Sequence, residues 1–288
     1  MTITLTTYGL KKRPKSLGLG VFDGIHIGHQ GLLAQCDALL TFNPHPVTII
    51  QNHITVERLT TIKEMTHYVD LLYVLEFNKN VANLSAYDFL NLVVLNKINP
   101  ENIVIGYDYY FGKNKEGTPT LFKEWAQQHN INLTIVDPIK NETKAIKSKS
   151  IRSEIKQGDF DQAIKDLGHS YLMIGHVIKG DNRGKSLGFP TANLEFPDEK
   201  LIPQHGVYKG KISYENQSYQ AMIYIGSKPT FNATTTSVEA FLLDFNGDLY
   251  NKTVNLFIEA YLRPEKQFQS KEDLVNQIKT DIHAAFNT

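Results

Sequence analysis

The sequence predicts an α/β N-terminal domain built on a parallel sheet, followed by a small antiparallel β-barrel closed by a C-terminal helix. Three observations predict it. Up to about residue 168, short apolar runs rich in β-branched residues alternate with helical patterns, the rhythm of strands joined by crossover helices and buried on both faces. From about residue 171, strand-like runs follow one another with only turn residues between them, the rhythm of an antiparallel sheet. A length of 288 residues suits two ordinary domains, each able to bury its own core. The expected division is 1–168 and 169–288.

In the first half LGLGVF reads as a strand, followed by a helical pattern in HQGLLAQCDALL and a second strand end at TFNPHP. VDLLYVLEF then precedes the helical SAYDFLNLVVLNKI, NIVIGYDYYF precedes TLFKEWAQQHN, and INLTIVDPI precedes a polar segment and the helical SIRSEIKQGDFDQAIKDLG. In the second half YLMIGHVIKG, GVYKGKISY, YQAMIYIG, VEAFLLDF and LYNKTVNLFIEAYL read as strands. Asn246-Gly247 between two apolar runs predicts a type I′ hairpin. SKEDLVNQIKTDIHAAF opens with Ser270 and has Asp273 three residues later, which predicts a capped helix with Leu274, Ile278 and Ile282 on one face.

Composition narrows the function classes. Lys plus Arg is 30 and Asp plus Glu is 30, so no overall field favours nucleic acid or an anionic membrane. A single cysteine, Cys36, excludes an internal disulfide and a cysteine-based zinc site, and reads as a small core residue. The N-terminal MTITLTTYGLKKRPK has no apolar signal core. No run approaches the ~18 apolar residues that span a bilayer. The expectation is a cytoplasmic protein with neither nucleic acid nor membrane as partner.

The stretch FDGIHIGHQ lies just after the first strand, at the mouth of the first helix. Ligands of parallel sheets sit at the carboxyl ends of strands, and helix N-termini favour phosphate. His26 and His29 are three apart, a spacing that brings both imidazoles to one side, and Gly28 between them lets a nucleotide approach the backbone. Attack on the α-phosphorus of ATP develops negative charge that two imidazole donors can stabilise without a covalent intermediate. TFNPHP, the aromatic loop GYDYYFGKNKEG, and a lysine run of Lys140, Lys144, Lys147, Lys149, Arg152 and Lys156 are further candidates near strand or helix ends. HIGH and KSKS also invite comparison with class I aminoacyl-tRNA synthetases, but only over those few letters.

In the second half, GDNRGKSLGFPTANL carries evenly spaced Gly180, Gly184 and Gly188, with Arg183 and Lys185 available for phosphate charge. Thr191 and Asn193 present neutral oxygens at alternate positions, which in an extended segment face the same side. Such hard donors suit Mg²⁺ bound together with nucleotide phosphates.

GVFDGIHIGHQ, TFNPHP, GYDYYFG, GDNRGKSLGFPTANL, PQHGVYKGKI, KPTF, VEAFLLDFNGDLYNK and LRPEKQF, in this order and spanning almost the whole chain, resemble the bifunctional prokaryotic riboflavin kinase/FMN adenylyltransferase (FAD synthetase) family. The resemblance implies a Rossmann-like HIGH nucleotidyltransferase domain that makes FAD from FMN and ATP. It also implies a six-stranded flavokinase barrel that makes FMN from riboflavin and ATP. On the matching positions it implies His26 and His29 as the phosphate-stabilising pair, with Gly20, Phe22, Asp23, Gly28, Ser148 and Arg152 around the nucleotide. Asn43, His45 and Asp108 lie toward the flavin. In the kinase it implies Gly180, Arg183, Gly184 and Gly188 around nucleotide, Thr191 and Asn193 holding Mg-ATP, Glu239 as general base on the ribityl hydroxyl, and Arg263 near the flavin end.

The departures are specific. The family pattern ISSTxIR is replaced by IKSKSIR at 146–152, so Lys147 and Lys149 stand where a serine and a threonine are usual. The span from His29 to Thr41 is short, which predicts a short first helix. VEAF puts Phe241 where the family tends to have histidine, and GYDYYFG puts Tyr110 where it has arginine. The alternatives these departures leave open are a riboflavin kinase with a weak or inactive first domain and a noncatalytic flavin- or nucleotide-binding module.

Overall fold

The computed structural model describes residues 3–10, 13–51, 54–141, 144–180, 184, 187–229 and 234–286. The chain forms two compact units, Met1–Ser148 and Lys149–Thr288.

The first unit runs β1 (Leu5–Tyr8), β2 (Ser16–Leu19), α1 (Ile27–Leu33), β3 (Ala38–Asn43), α2 (Pro46–Ile50), α3 (Ile62–Met65), β4 (Leu72–Glu76), α4 (Lys79–Ala82) and α5 (Ala86–Phe89). The last continues as a π-helical run, Leu90–Ile98, before β5 (Asn102–Gly106), α6 (Pro119–Gln128), β6 (Asn132–Val136) and a small hairpin, β7 (Lys140–Asn141) with β8 (Lys144–Ala145). The sheet order is β1-β4-β3-β2-β5-β6. β2 pairs in parallel with both β3 and β5, so the chain winds away from β2 in opposite directions and leaves a crevice at the strand ends. The loops after β2 and β5 meet there.

Two expectations are corrected. The sheet is not wholly parallel, because β1 lies antiparallel on β4 with Leu5 opposite Leu75; four residues of LTTY are too short a signal to read from pattern. The helix expected across HQGLLAQCDALL ends at Leu33, and Ala38-Leu39-Leu40 enter β3. Asp37 enforces this stop, since its carboxylate accepts from the backbone N–H groups of Lys15 and Ser16 at 3.2 and 2.8 Å and its own N–H donates to the Ser16 carbonyl. The apolar residues after it are then buried on the sheet rather than on a helix.

The second unit contains most of α7 (Ser148–Gln157), then α8 (Phe160–Leu167), β9 (Tyr171–Ile178), β10 (Thr191–Glu195), β11 (Gly206–Tyr214), β12 (Gln217–Pro229), β13 (Thr234–Leu242), β14 (Thr253–Arg263) and α9 (Lys271–Phe286). The strands close a barrel in the order β10-β13-β12-β11-β14-β9, which removes every sheet edge. Helix α8 packs with the barrel through Phe160, which meets Tyr171 and Tyr208 edge-on. Both helices before Gly168 thus group largely with the barrel, whereas the sequence pattern groups them with the first half.

Asn246-Gly247 does not make the expected hairpin, because β13 and β14 are not neighbours in the barrel and a longer loop joins them. The two-residue turn lies instead between β11 and β12, where Glu215 and Asn216 both take positive φ, 46° and 64°, and Tyr214 pairs with Gln217. Ser270 caps α9 as expected, exchanging hydrogen bonds with Asp273. The helix is rolled so that Asp281 and Ala285 are its buried residues, with Ile282 and Phe286 packing against the cluster of Val207, Met222 and Ala285.

Candidate active sites

The loop between β2 and α1 is held in an unusual backbone path. Phe22, Gly24 and Ile25 have φ of 53°, 94° and 46°, and a non-glycine residue in that region costs about 1 kcal/mol or more. The cost is offset by burial of Phe22 and Ile25 and by a polar clamp. Gly24 N–H donates to Thr60 Oγ1 at 3.2 Å, Thr60 N–H donates to Asp23 Oδ1 at 3.0 Å, and Ser148 Oγ donates to the Asp23 carbonyl at 2.7 Å. Asp23 and Ser148 therefore shape this loop, and Asp23 is buried.

The clamp delivers His26 as the N-cap of α1 and His29 one turn inside it. Their rings stack with centroids 3.7 Å apart and an interplanar angle of 18°, and Phe22 meets His29 edge-on. Gly28 makes the stack possible, because a Cβ there would lie 3.1 Å from the His26 ring. Gly20 is similarly closed by the Phe22 ring at 3.0 Å. Burial, and then the neighbouring His26, hold the His29 imidazole well below the ordinary 6.5. It is neutral at pH 7, and its buried Nδ1 has no hydrogen-bond partner among the described residues.

Two clefts meet at His29. One, of about 270 Å³, is bordered by His26, Gly28, His29, Asp108, Lys147 and Ser148. The other, of about 460 Å³, is bordered by His29, Asp108 and a wall that includes Phe42, Phe89, Tyr109 and Phe111. Tyr109 stacks on Phe111, and its buried hydroxyl has no partner among the described residues; sequence inspection passes over it because its neighbours are equally aromatic. Lys147 Nζ lies 3.3 Å from Asp108 Oδ2.

Not every expected residue reaches these clefts. Asn43 is exposed at the end of β3, its Oδ1 accepting from Arg58, and His45 is the N-cap of α2, its Nδ1 accepting from Val47 N–H. Neither borders either cleft, although Pro46 and Val47 do. Arg58, fully buried and also donating to the Phe42 carbonyl at 2.9 Å, organises this corner. Arg152 lies on α7 in the second unit.

In the barrel, Thr191 and Asn193 share one face of β10, and Asn193 sits directly opposite Glu239 on β13. Thr191 Oγ1 donates to Glu239 Oε2 at 3.0 Å. Gly180 packs closely on Asn193, since a Cβ there would fall 2.1 Å from Asn193 Nδ2 and push that side chain aside. Gly184 lies against the Phe189 carbonyl, and Gly188 takes a φ of +85° in open space. Arg183 and Lys185 lie outside the described residues. A cleft of about 500 Å³ opens beside Thr191, with Phe245, Leu249 and Tyr250 on its walls. Phe241 meets Phe189 edge-on at 5.2 Å and packs toward α9, so its ring replaces a polar group with core.

Arg263 is held by the C-terminal helix. Its Nε and Nη2 grip Asp281 of α9, the closest approach being 2.8 Å. Tyr224, opposite Glu239 on β12, donates to Glu265. Its hydroxyl is pushed up chiefly by burial and by that hydrogen bond. Among the described residues no cluster of three or more His, Cys, Asp or Glu side chains could hold a metal ion. Thr191 and Asn193 nonetheless supply neutral oxygens of the kind Mg²⁺ takes alongside nucleotide phosphates and water.

An α/β unit with a histidine pair at its switch point, joined to a closed barrel that pairs a threonine with a carboxylate, defines a two-part phosphate-transfer enzyme. Comparison with known proteins makes the class specific. The family model described as FAD synthetase matches residues 10–150, and the one described as riboflavin kinase matches residues 167–288. The chain is 33% identical to the bifunctional riboflavin kinase/FMN adenylyltransferase of Listeria monocytogenes, covering 93% of this chain and 90% of that one. It is 30% identical to that of Bacillus subtilis, with the same coverages. A crystal structure from Streptococcus pneumoniae, described as a macrolide-efflux protein, is 30% identical with a TM-score of 0.84, covering 96% of this chain and 95% of that one. The chain belongs to the bifunctional riboflavin kinase/FMN adenylyltransferase family. Both domains are present, so the two-activity reading is favoured over a kinase with an inert partner. Among the described residues no helix is long and apolar enough to cross a membrane.

Proposed function

We propose that the two activities divide between these sites, in a cytoplasmic enzyme that acts on riboflavin, FMN and ATP without a nucleic-acid partner. The observation that carries the adenylyl assignment is that His29 borders both a polar and an aromatic cleft. A polyphosphate in the first and a flat flavin ring in the second would bring the FMN phosphate and the ATP α-phosphorus together beside the histidines. The two imidazoles act there as hydrogen-bond donors to the charge developing on phosphorus. The rigid loop of Gly20, Phe22 and Asp23 holds them in place.

In the barrel, Glu239 takes the proton of the ribityl hydroxyl as its oxygen attacks the γ-phosphorus of ATP. The Thr191 hydroxyl orients that carboxylate. The cleft beside Thr191 takes the nucleotide, and Gly180, Gly184 and Gly188 let backbone close around it. Thr191 and Asn193 would hold Mg²⁺, which when bound neutralises phosphate charge. The balance of 30 basic and 30 acidic residues supports small-molecule rather than nucleic-acid substrates.

A chromatographic time course of the purified chain with riboflavin, ATP and Mg²⁺ tests the scheme. Transient FMN followed by FAD is expected. FMN accumulating without FAD would refute the adenylyl assignment.

A further inference from the structure

The polar cleft beside the histidine pair has a charge problem. A nucleotide triphosphate carries several negative charges, yet two carboxylates, Asp108 and Asp137, border this cleft. His29, held neutral by burial, brings no positive charge there. Among the described residues bordering the cleft, Lys147 is the only lysine or arginine. Its ammonium lies 3.3 Å from Asp108 Oδ2, and both side chains are more than half exposed, at 59% and 52%. An ion pair so exposed contributes little to stability, and it opens at little cost.

We propose that Lys147 is a polyphosphate-binding residue of the adenylyl-transfer cleft, held by Asp108 until nucleotide enters and then transferred to the phosphates that leave as pyrophosphate. This rests on the assignment of that cleft to adenylyl transfer. In the reaction an FMN phosphate oxygen forms a bond to the α-phosphorus. The bond from that phosphorus to the oxygen bridging to the β-phosphorus breaks, and this oxygen departs with the electron pair as part of pyrophosphate. An ammonium beside it offsets the charge as it appears. In the resting protein the same ammonium cancels Asp108, which would otherwise repel the incoming triphosphate. Lys147 lies two residues after β8 and directly before Ser148, whose hydroxyl is tied to the Asp23 carbonyl, so its backbone is anchored to the histidine loop while its exposed side chain borders the cleft. The family pattern has a serine at this position, so tight pyrophosphate binding is a property of this chain's own residue.

The test uses the full-length chain, with a thermal unfolding transition like that of the wild type showing that the first unit of each variant is folded. Inhibition of FAD synthesis by added inorganic pyrophosphate is measured for the wild type, Lys147→Ser and Asp108→Asn. Loss of one charge-assisted hydrogen bond is expected to weaken pyrophosphate inhibition roughly tenfold in Lys147→Ser, and to reduce its dependence on ionic strength. Asp108→Asn is expected to strengthen inhibition. If Lys147→Ser makes no FAD, calorimetric titration with pyrophosphate reads the same tenfold change directly. Pyrophosphate affinity unchanged within twofold in Lys147→Ser would overturn the proposal. His29→Ala separates the two levels. FAD synthesis surviving His29→Ala unchanged would remove the cleft assignment itself, whereas its loss together with unchanged pyrophosphate affinity in Lys147→Ser would remove only the role of Lys147.

Discussion

Glu239→Gln tests the kinase assignment most sharply, because the substitution separates two things the carboxylate does. In the structure Thr191 Oγ1 donates to Glu239 Oε2 at 3.0 Å, and a glutamine carbonyl oxygen can accept the same bond in the same place. Asn193 remains opposite on β10, so the geometry of the site is retained. What disappears is the capacity to take a proton. A positioned general base contributes about 10²–10⁴-fold to rate, while weakening one neutral hydrogen bond changes affinity by about 1 kcal/mol, roughly fivefold. The expected result is a fall in kcat for FMN formation of at least about 100-fold, with riboflavin binding, read by flavin fluorescence quenching, kept within about fivefold. FAD formation from supplied FMN serves as the internal control and is expected to be unchanged. A kcat within about threefold of wild type would refute the role of Glu239 as base.

Three further outcomes follow from named contacts. Because burial depresses the His29 pKa below its ordinary 6.5, the unfolded chain takes up a proton there that the folded chain refuses, so stability falls as pH drops below that value. His29→Gln is expected to flatten this part of the profile in urea titrations between about pH 8 and 5, and an unchanged slope would contradict the burial argument. Asp281→Asn leaves the 20%-exposed Arg263 facing a neutral partner, and is expected to destabilise the barrel unit by on the order of 2 kcal/mol in chemical denaturation; a change under about 0.5 kcal/mol would mean the pair does not hold α9. Replacing Glu215-Asn216 by Asn-Gly suits the positive φ values of 46° and 64° and is expected to stabilise the β11–β12 hairpin by about 1 kcal/mol, with a loss of stability counting against the turn geometry.

Legibility in the sequence followed the strength of the local signal. The alternation of apolar runs with helical patterns was enough to read the two architectures, and Ser270 with Asp273 was enough to start α9. The stop of α1 was not readable, because the decisive contact is Asp37 with backbone that lies on a different strand. The Asn246-Gly247 signal failed for a related reason. Turn chemistry is local, whereas the barrel decides which strands are neighbours, and β13 pairs with β10 and β12. The site followed the same rule. Motif strings located His26, His29, Thr191, Asn193 and Glu239, but not Thr60, which clamps the histidine loop from elsewhere in the chain. Arg263 was located by its motif while its partner, Asp281, depends on how α9 is rolled.

The two proposed sites ask opposite things of their titratable groups, and the surroundings differ accordingly. Adenylyl transfer to FMN starts from an oxygen that is already anionic, so it needs donors and no base. The structure buries the imidazole of His29 against Phe22 and His26, which keeps it uncharged and aimed. Phosphorylation of riboflavin starts from a neutral hydroxyl and needs an acceptor that keeps its charge. Glu239 is only partly buried and accepts from Thr191. A charged His29 would be forced out of its pocket, and the donor it offers would be lost. In the proposed scheme the strained loop at Phe22 and Ile25 is therefore part of the chemistry, since it places the His29 side chain where its charge state suits the step.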